Sequence, residues 1–92
     1  MANTRSAIKR IRQNEKRRQR NRLFASRART YVRKARVALE EGETEDARRA
    51  TMEAVSALDK AAEKGVIHKN NAARRKSRLM KHLNALEQKA AQ

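Results

Sequence analysis

The chain contains no proline, and only two glycines, Gly42 and Gly65, interrupt it. Elsewhere Ala, Arg, Lys, Glu, Gln and Leu dominate, and all six are strong helix formers. β-Branched residues are few and never alternate with polar ones as they would in a half-buried strand. Glycine tolerates the left-handed conformation that often ends a helix. The sequence therefore predicts an all-α fold with three helices, at about residues 5–41, 45–64 and 69–88.

Each predicted helix carries one stripe of apolar residues, as a helix packed against a neighbour requires. The stripes contain Phe24, Ala28, Tyr31, Ala35 and Leu39 in the first helix, Ala47, Ala50, Ala54, Leu58 and Ala61 in the second, and Ala72, Leu79, Leu83, Leu86 and Ala90 in the third. Thr44 is the expected N-cap of the second helix, with Glu45 and Asp46 in its first turn. Because the connections are short, neighbouring helices should run antiparallel. We expect a single three-helix bundle.

The core of this bundle must be thin, because 17 of the 35 apolar residues are alanines. A small domain buries only about 60% of the surface that its unfolded chain exposes. The net charge of +15 on 92 residues adds self-repulsion. We therefore expect a polyanionic partner to complete the structure.

Charge is distributed unevenly along the chain. Residues 1–36 carry a net charge of +13, residues 37–64 carry −4, and residues 65–92 carry +6. The first and third helices should therefore face the polyanion, while the acidic second helix serves as scaffold and offsets part of the repulsion.

Residues 9–22 form the most basic segment, with eight cations, one carboxylate (Glu15) and one large apolar residue (Ile11). The cations point to all sides of a helix, so this segment has no apolar stripe to pack on a core. We expect it to fray in isolation and to fold against phosphates. The predicted division is a basic extension over residues 1–22 and a bundle over residues 23–92.

Several functional classes are disfavoured by the composition. Without cysteine there is no disulfide, zinc–thiolate site or thiol nucleophile. His68 and His82 have no Cys or acidic partners at metal-ligand spacing, and Ser77 has no neighbouring base. We therefore expect neither catalysis nor a cofactor, metal or small-molecule substrate. No segment is apolar enough for a membrane span or a signal peptide, and no membrane partner is expected.

The favoured function is binding to structured nucleic acid, with recognition of the backbone and shape of the nucleic acid. Lys and Arg neutralise phosphates without choosing a sequence. The two aromatic residues, Phe24 and Tyr31, are expected on the core stripe, which leaves no platform for stacking single-stranded bases. His68 is expected to cap the third helix or to contact a phosphate.

The basic composition also permits two DNA-binding alternatives. Residues 20–29, RNRLFASRAR, look like the basic region of a leucine-zipper protein, but Gly42 ends the helix too early for the coiled coil that such a region requires. A nucleoid-type basic protein that binds and compacts DNA stays the main alternative, because net charge does not distinguish RNA from DNA.

Two segments, MANTRSAIKRIRQNEKRRQRNR at residues 1–22 and KGVIHKNNAARRKSRL at residues 64–79, closely resemble the S-twenty family of bacterial small-subunit ribosomal proteins. The resemblance covers nearly the whole chain and is weakest in the acidic middle. It implies a three-helix bundle whose long basic N-terminal helix extends beyond the bundle. It also implies a cytoplasmic, ribosome-bound protein that is monomeric within the particle, binds small-subunit ribosomal RNA directly in the 5′ domain and helps assembly.

The resemblance further implies a set of RNA contacts in both segments. By position in this sequence they are Lys9, Arg10, Arg12, Asn14, Lys16, Arg17, Arg18, Arg20, Asn21 and Arg22, followed by His68, Lys69, Asn70, Arg74, Arg75, Lys76 and Arg78. No catalytic or metal-binding residue is implied.

Overall fold

The fold is all-α, as the sequence predicts. The computed structural model describes residues 4–91, which form α1 (Arg5–Glu41), α2 (Thr44–Glu63) and α3 (Lys69–Ala91) and contain no strand. The molecule is elongated, measuring 68 × 21 × 14 Å. Its length follows from α1, whose 37 residues span about 55 Å at 1.5 Å per residue.

Both glycines end helices in the left-handed conformation, as predicted. Gly42 has a φ of 82°, and its N–H donates to the Ala38 carbonyl 3.2 Å away. Gly65 has a φ of 73°, and the next residue, Val66, donates its N–H to the Ala61 carbonyl at 2.9 Å. These bonds satisfy carbonyls that the helix ends would otherwise leave unpaired.

The predicted N-cap of α2 is wrong by one residue. Thr44 is already helical, and Glu43 takes the extended capping position, with a φ of −76° and a ψ of 108°. The Glu43 carbonyl accepts the N–H of Ala47 at 2.8 Å, but its side chain makes no capping hydrogen bond. Gly42 reverses the chain so sharply that one extended residue is enough before the next helix begins. Glu45 and Asp46 lie in the first turn, as expected.

The core lies between the C-terminal half of α1, the whole of α2 and the first part of α3. Its buried apolar residues are Ala28, Val32, Ala35, Leu39, Ala47, Ala54, Ala57, Leu58, Ala61, Ala72, Leu79 and Leu83. Most members of the predicted stripes are in this set. Ala90 is not, since it lies in the last turn of α3 and is exposed.

The two aromatic residues lie at the edge of the core rather than within it. Tyr31 is half-buried and packs against the core. Phe24 is half-buried at the level where α2 ends, since the Lys64 amine lies 6.0 Å from its ring centroid. Phe24 was expected on the core stripe but is only half-buried, and the buried residues of α1 begin at Ala28.

α2 is the central helix of the bundle. It packs along both α1 and α3, whereas α1 and α3 touch over a shorter stretch. Two ion pairs also join α2 to α3: Arg48 donates from Nη2 to Glu87 Oε1 at 2.6 Å, and Lys76 donates to Asp59 at 2.8 Å. This arrangement leaves a groove between α1 and α3.

Candidate nucleic-acid interface

The N-terminal half of α1 projects beyond the bundle as an exposed cationic rod. We call residues 5–22 the arm. All ten contact residues predicted between Lys9 and Arg22 lie on it, and all are exposed. The ion pair of the arm, between Arg18 and Glu15, spans 3.9 Å with both side chains more than half exposed. Such pairs contribute little to stability, so the arm keeps nearly all of its cations free for a partner.

The base of the arm meets the end of α2 around a shallow cavity of about 250 Å³. Arg17, Arg20 and Asn21 line it from the arm, and Lys64 lines it from the C-cap of α2. The Lys64 amine also lies over the ring of Phe24, a favourable cation–π contact. Lys64 was not predicted as a site residue. Its position in the motif KGVIHK beside the helix-ending glycine was the available signal, but only the packing of α2 on α1 brings it to the arm.

His68 caps α3, as the sequence analysis expected. Its carbonyl accepts the N–H of Ala72, and its Nδ1 accepts the N–H of Asn70 at 3.1 Å. Since Nδ1 is an acceptor here, the neutral imidazole carries its proton on Nε2. His68 itself is exposed.

The predicted contacts on α3 do not form one surface. Lys76 is half-buried, and its amine donates to Asp59 on α2, so a carboxylate competes with any phosphate for this cation. Arg75 and Arg78 instead line the groove between α1 and α3. Arg74 lies on the outer side of α3 by its helical position and is exposed, as are Lys69 and Asn70 in the first turn.

Three cations of this groove were missed by the sequence analysis. Arg29, Arg33 and Arg36 line the α1 wall opposite Arg75 and Arg78. They lie off the apolar stripe of α1 and are not among the contacts predicted from the sequence. Their spacings of four and three residues put them on one face of α1, but nothing local shows that this face meets the arginines of α3.

Across residues 4–91, the structure contains no helix long and apolar enough to cross a membrane, and no cluster of three or more metal-ligating side chains.

The sequence matches known proteins over nearly its full length. Residues 2–84 match the family model described as ribosomal protein S20. The chain is 58% identical to the small ribosomal subunit protein bS20 of Thermomicrobium roseum, over 94% of this chain and 87% of that protein. It is 56% identical to the bS20 protein of Cutibacterium acnes, over 94% and 98% of the two chains. It is 52% identical to the bS20 protein of Aquifex aeolicus, over 100% and 99%.

The family model covers most of the chain, and the three relatives are 52–58% identical to it over at least 94% of its length. The chain belongs to the ribosomal protein S20 family.

Proposed function

We propose that this protein is a structural component of the small ribosomal subunit, that it binds small-subunit ribosomal RNA directly in the 5′ domain, and that it helps the subunit assemble. The proposal assigns it to cytoplasmic ribosomes, as a monomer within the particle. It assigns no catalysis and no cofactor. The observation that carries the proposal is the match to bS20 proteins over nearly the whole chain.

The charge layout of the fold supports direct RNA binding. The exposed arm carries eight cations over residues 9–22, while the carboxylates are concentrated on and around α2. Cations that are free of ion pairs release counterions when they bind phosphates, and this release drives association. The bundle is too small to hold such a charge density without repulsion, which a polyanion would relieve.

In this proposal the protein clamps two RNA elements together. Residues 1–22 act as the RNA-binding extension and residues 23–92 as the bundle that sets its direction. The predicted contacts of the arm and of α3 hold separate segments and screen their mutual repulsion. α2 fixes the angle between the two surfaces through its packing and its two ion pairs with α3.

The test is binding to the 5′ domain of small-subunit ribosomal RNA, titrated in salt and in excess unrelated structured RNA. The proposal expects saturable one-to-one binding that survives the competitor. If unrelated RNA and duplex DNA displaced the protein from the 5′-domain RNA equally well, the proposal would be refuted and the DNA-compacting alternative favoured. Non-specific binding by counterion release does not discriminate between polyanions.

A further inference from the structure

The groove between α1 and α3 collects five arginines from two helices that are distant in the sequence. Arg29, Arg33 and Arg36 form one wall, Arg75 and Arg78 form the other, and Val32 lies at the bottom. The groove encloses about 380 Å³ and continues into a smaller cavity of about 160 Å³ next to Leu79 and His82. We call it the arginine groove.

No carboxylate lines the arginine groove among the residues that the structure describes. The ion pairs of residues 4–91 lie within the arm or between α2 and α3, so none neutralises these five guanidinium groups. Bringing five like charges together without counterions opposes folding. The arrangement is therefore suited to a polyanion that enters the groove.

The chemistry of the walls indicates which polyanion fits. Guanidinium groups bind phosphate through paired N–H donors, and their stems can lie along the buried side chains of Val32 and Leu79. Small-molecule sites, by contrast, are mostly apolar and aromatic with a few polar groups. No Phe, Tyr or Trp side chain lines the groove or the smaller cavity, and the ring nearest to them is the imidazole of His82 at the edge of the smaller cavity.

The groove also continues a row of cations on the arm. Arg18, Arg22, Arg29, Arg33 and Arg36 follow one another at spacings of four, seven, four and three residues, which keeps them on one face of α1. At 1.5 Å per residue the row spans about 27 Å. Its first part is open on the arm, and its last part is enclosed by α3.

We propose that the arginine groove is a second RNA-binding site, which holds the phosphate backbone of a strand that runs along this face of α1 from the arm onto the bundle. This inference rests on the proposed function and extends it to three α1 residues outside the contacts predicted from the sequence. The bundle then binds RNA through α1 and α3 together rather than through α3 alone.

The test compares two triple variants of the full chain that lose equal charge. The groove variant carries Arg29→Gln, Arg33→Gln and Arg36→Gln. The control variant carries Arg49→Gln, Lys81→Gln and Lys89→Gln, three exposed cations outside both the arm and the groove. Gln is a good helix former, so both variants should keep their helicity, which circular dichroism checks. Binding to the 5′-domain RNA is measured across a range of salt concentrations.

The groove variant should reduce the slope of log affinity against log salt concentration by about two to three, one for each lost phosphate contact. The control variant should reduce it by less than one. Equal slopes for the two variants would overturn the inference but leave the proposed function standing. If competitor RNA displaced the wild-type protein from the 5′-domain RNA, the proposed function itself would be refuted.

A second variant covers the case in which the triple variant does not fold. Arg75→Gln and Arg78→Gln remove the α3 wall and should lower the slope by about two. A slope within experimental error of wild type for this variant would contradict the groove, because both walls are required to hold the same strand.

Discussion

Thr51 is the polar side chain that lies within the apolar core. It is 0% exposed, and its hydroxyl has no hydrogen-bond partner among the described residues. The helical pattern of α2 predicted a stripe of alanines with Leu58 and did not include Thr51, because a threonine scores as polar in such a pattern. The hydroxyl therefore occupies a position that suits a methyl group better.

We expect Thr51→Val to raise the free energy of unfolding by about 1 kcal/mol, because a buried hydroxyl without a partner costs about 1–3 kcal/mol and valine has nearly the same shape. Urea denaturation followed by circular dichroism measures the change. Thr30→Val at an exposed position is the control and should change stability by less than about 0.5 kcal/mol. A loss of stability in Thr51→Val would show that the hydroxyl has a partner in solution.

Glycine is favoured at residue 65 by the backbone conformation and not by a lack of space for a side chain. Its φ is 73°, and a Cβ built on it would meet no atom within 4 Å. Gly65→Ala should therefore cost only the strain of a left-handed alanine, about 1–2 kcal/mol. Asparagine adopts this conformation more readily, so Gly65→Asn should cost less. Denaturant unfolding of both variants checks the order, and equal losses for the two would contradict this explanation.

The arm differs from the bundle in its exposure and in its composition. Its side chains from Lys9 to Arg22 are all exposed, so they are not part of the packed core. The buried residues of α1 begin only at Ala28. One continuous helix therefore serves two purposes, and composition changes from cationic on all sides to amphipathic near Phe24.

Replacing Arg17, Arg18 and Arg20 by Ala should weaken RNA binding and reduce the salt slope by up to about three. It should leave the free energy of unfolding within about 0.5 kcal/mol of wild type, because all three positions are exposed and lie outside the buried core. The measurements are RNA binding in salt and urea denaturation of the free protein. An unchanged salt slope would refute the role of these arginines, with the triple control variant described above as the comparison.

At the scale of the whole molecule, charge repulsion opposes a thin core. The net charge is +15, and the fold itself concentrates five arginines in one groove. The three ion pairs found within residues 4–91 are partly exposed, so their loss in salt costs little. Because repulsion among the cations outweighs the attraction within the ion pairs, the free protein should become more stable when salt screens its charges.

The melting temperature of the free protein should therefore rise as NaCl increases from about 0.01 M to about 1 M, where the Debye length falls from about 30 Å to about 3 Å. The salt should be a chloride and not a sulfate. Sulfate also stabilises folded proteins by strengthening apolar burial, and this effect would be confused with charge screening. The variant Arg29→Gln, Arg33→Gln and Arg36→Gln should show a smaller rise than wild type. A melting temperature that falls with salt would mean that ion pairs outweigh repulsion in this fold.

Most of the secondary structure could be predicted because it depends on local rules. Helix formers without proline, a left-handed glycine at residues 42 and 65, and one apolar stripe per helix act within a few residues of each other. The same holds for the His68 cap and for the cationic arm, whose predicted contact residues all lie on one exposed helix. The family resemblance added the ribosomal function, and the similarity to bS20 proteins confirmed the family.

Tertiary packing decided what depends on which helices meet. It paired Lys76 with Asp59, brought Lys64 to the base of the arm, and left Phe24 half-buried where α2 ends. It also divided the basic face of α3, turning Arg75 and Arg78 toward α1. The sequence pattern identifies the face of each helix but not the neighbour that the face will meet, because that choice depends on loop geometry and packing between distant residues. The arginine groove exists only as a consequence of that choice.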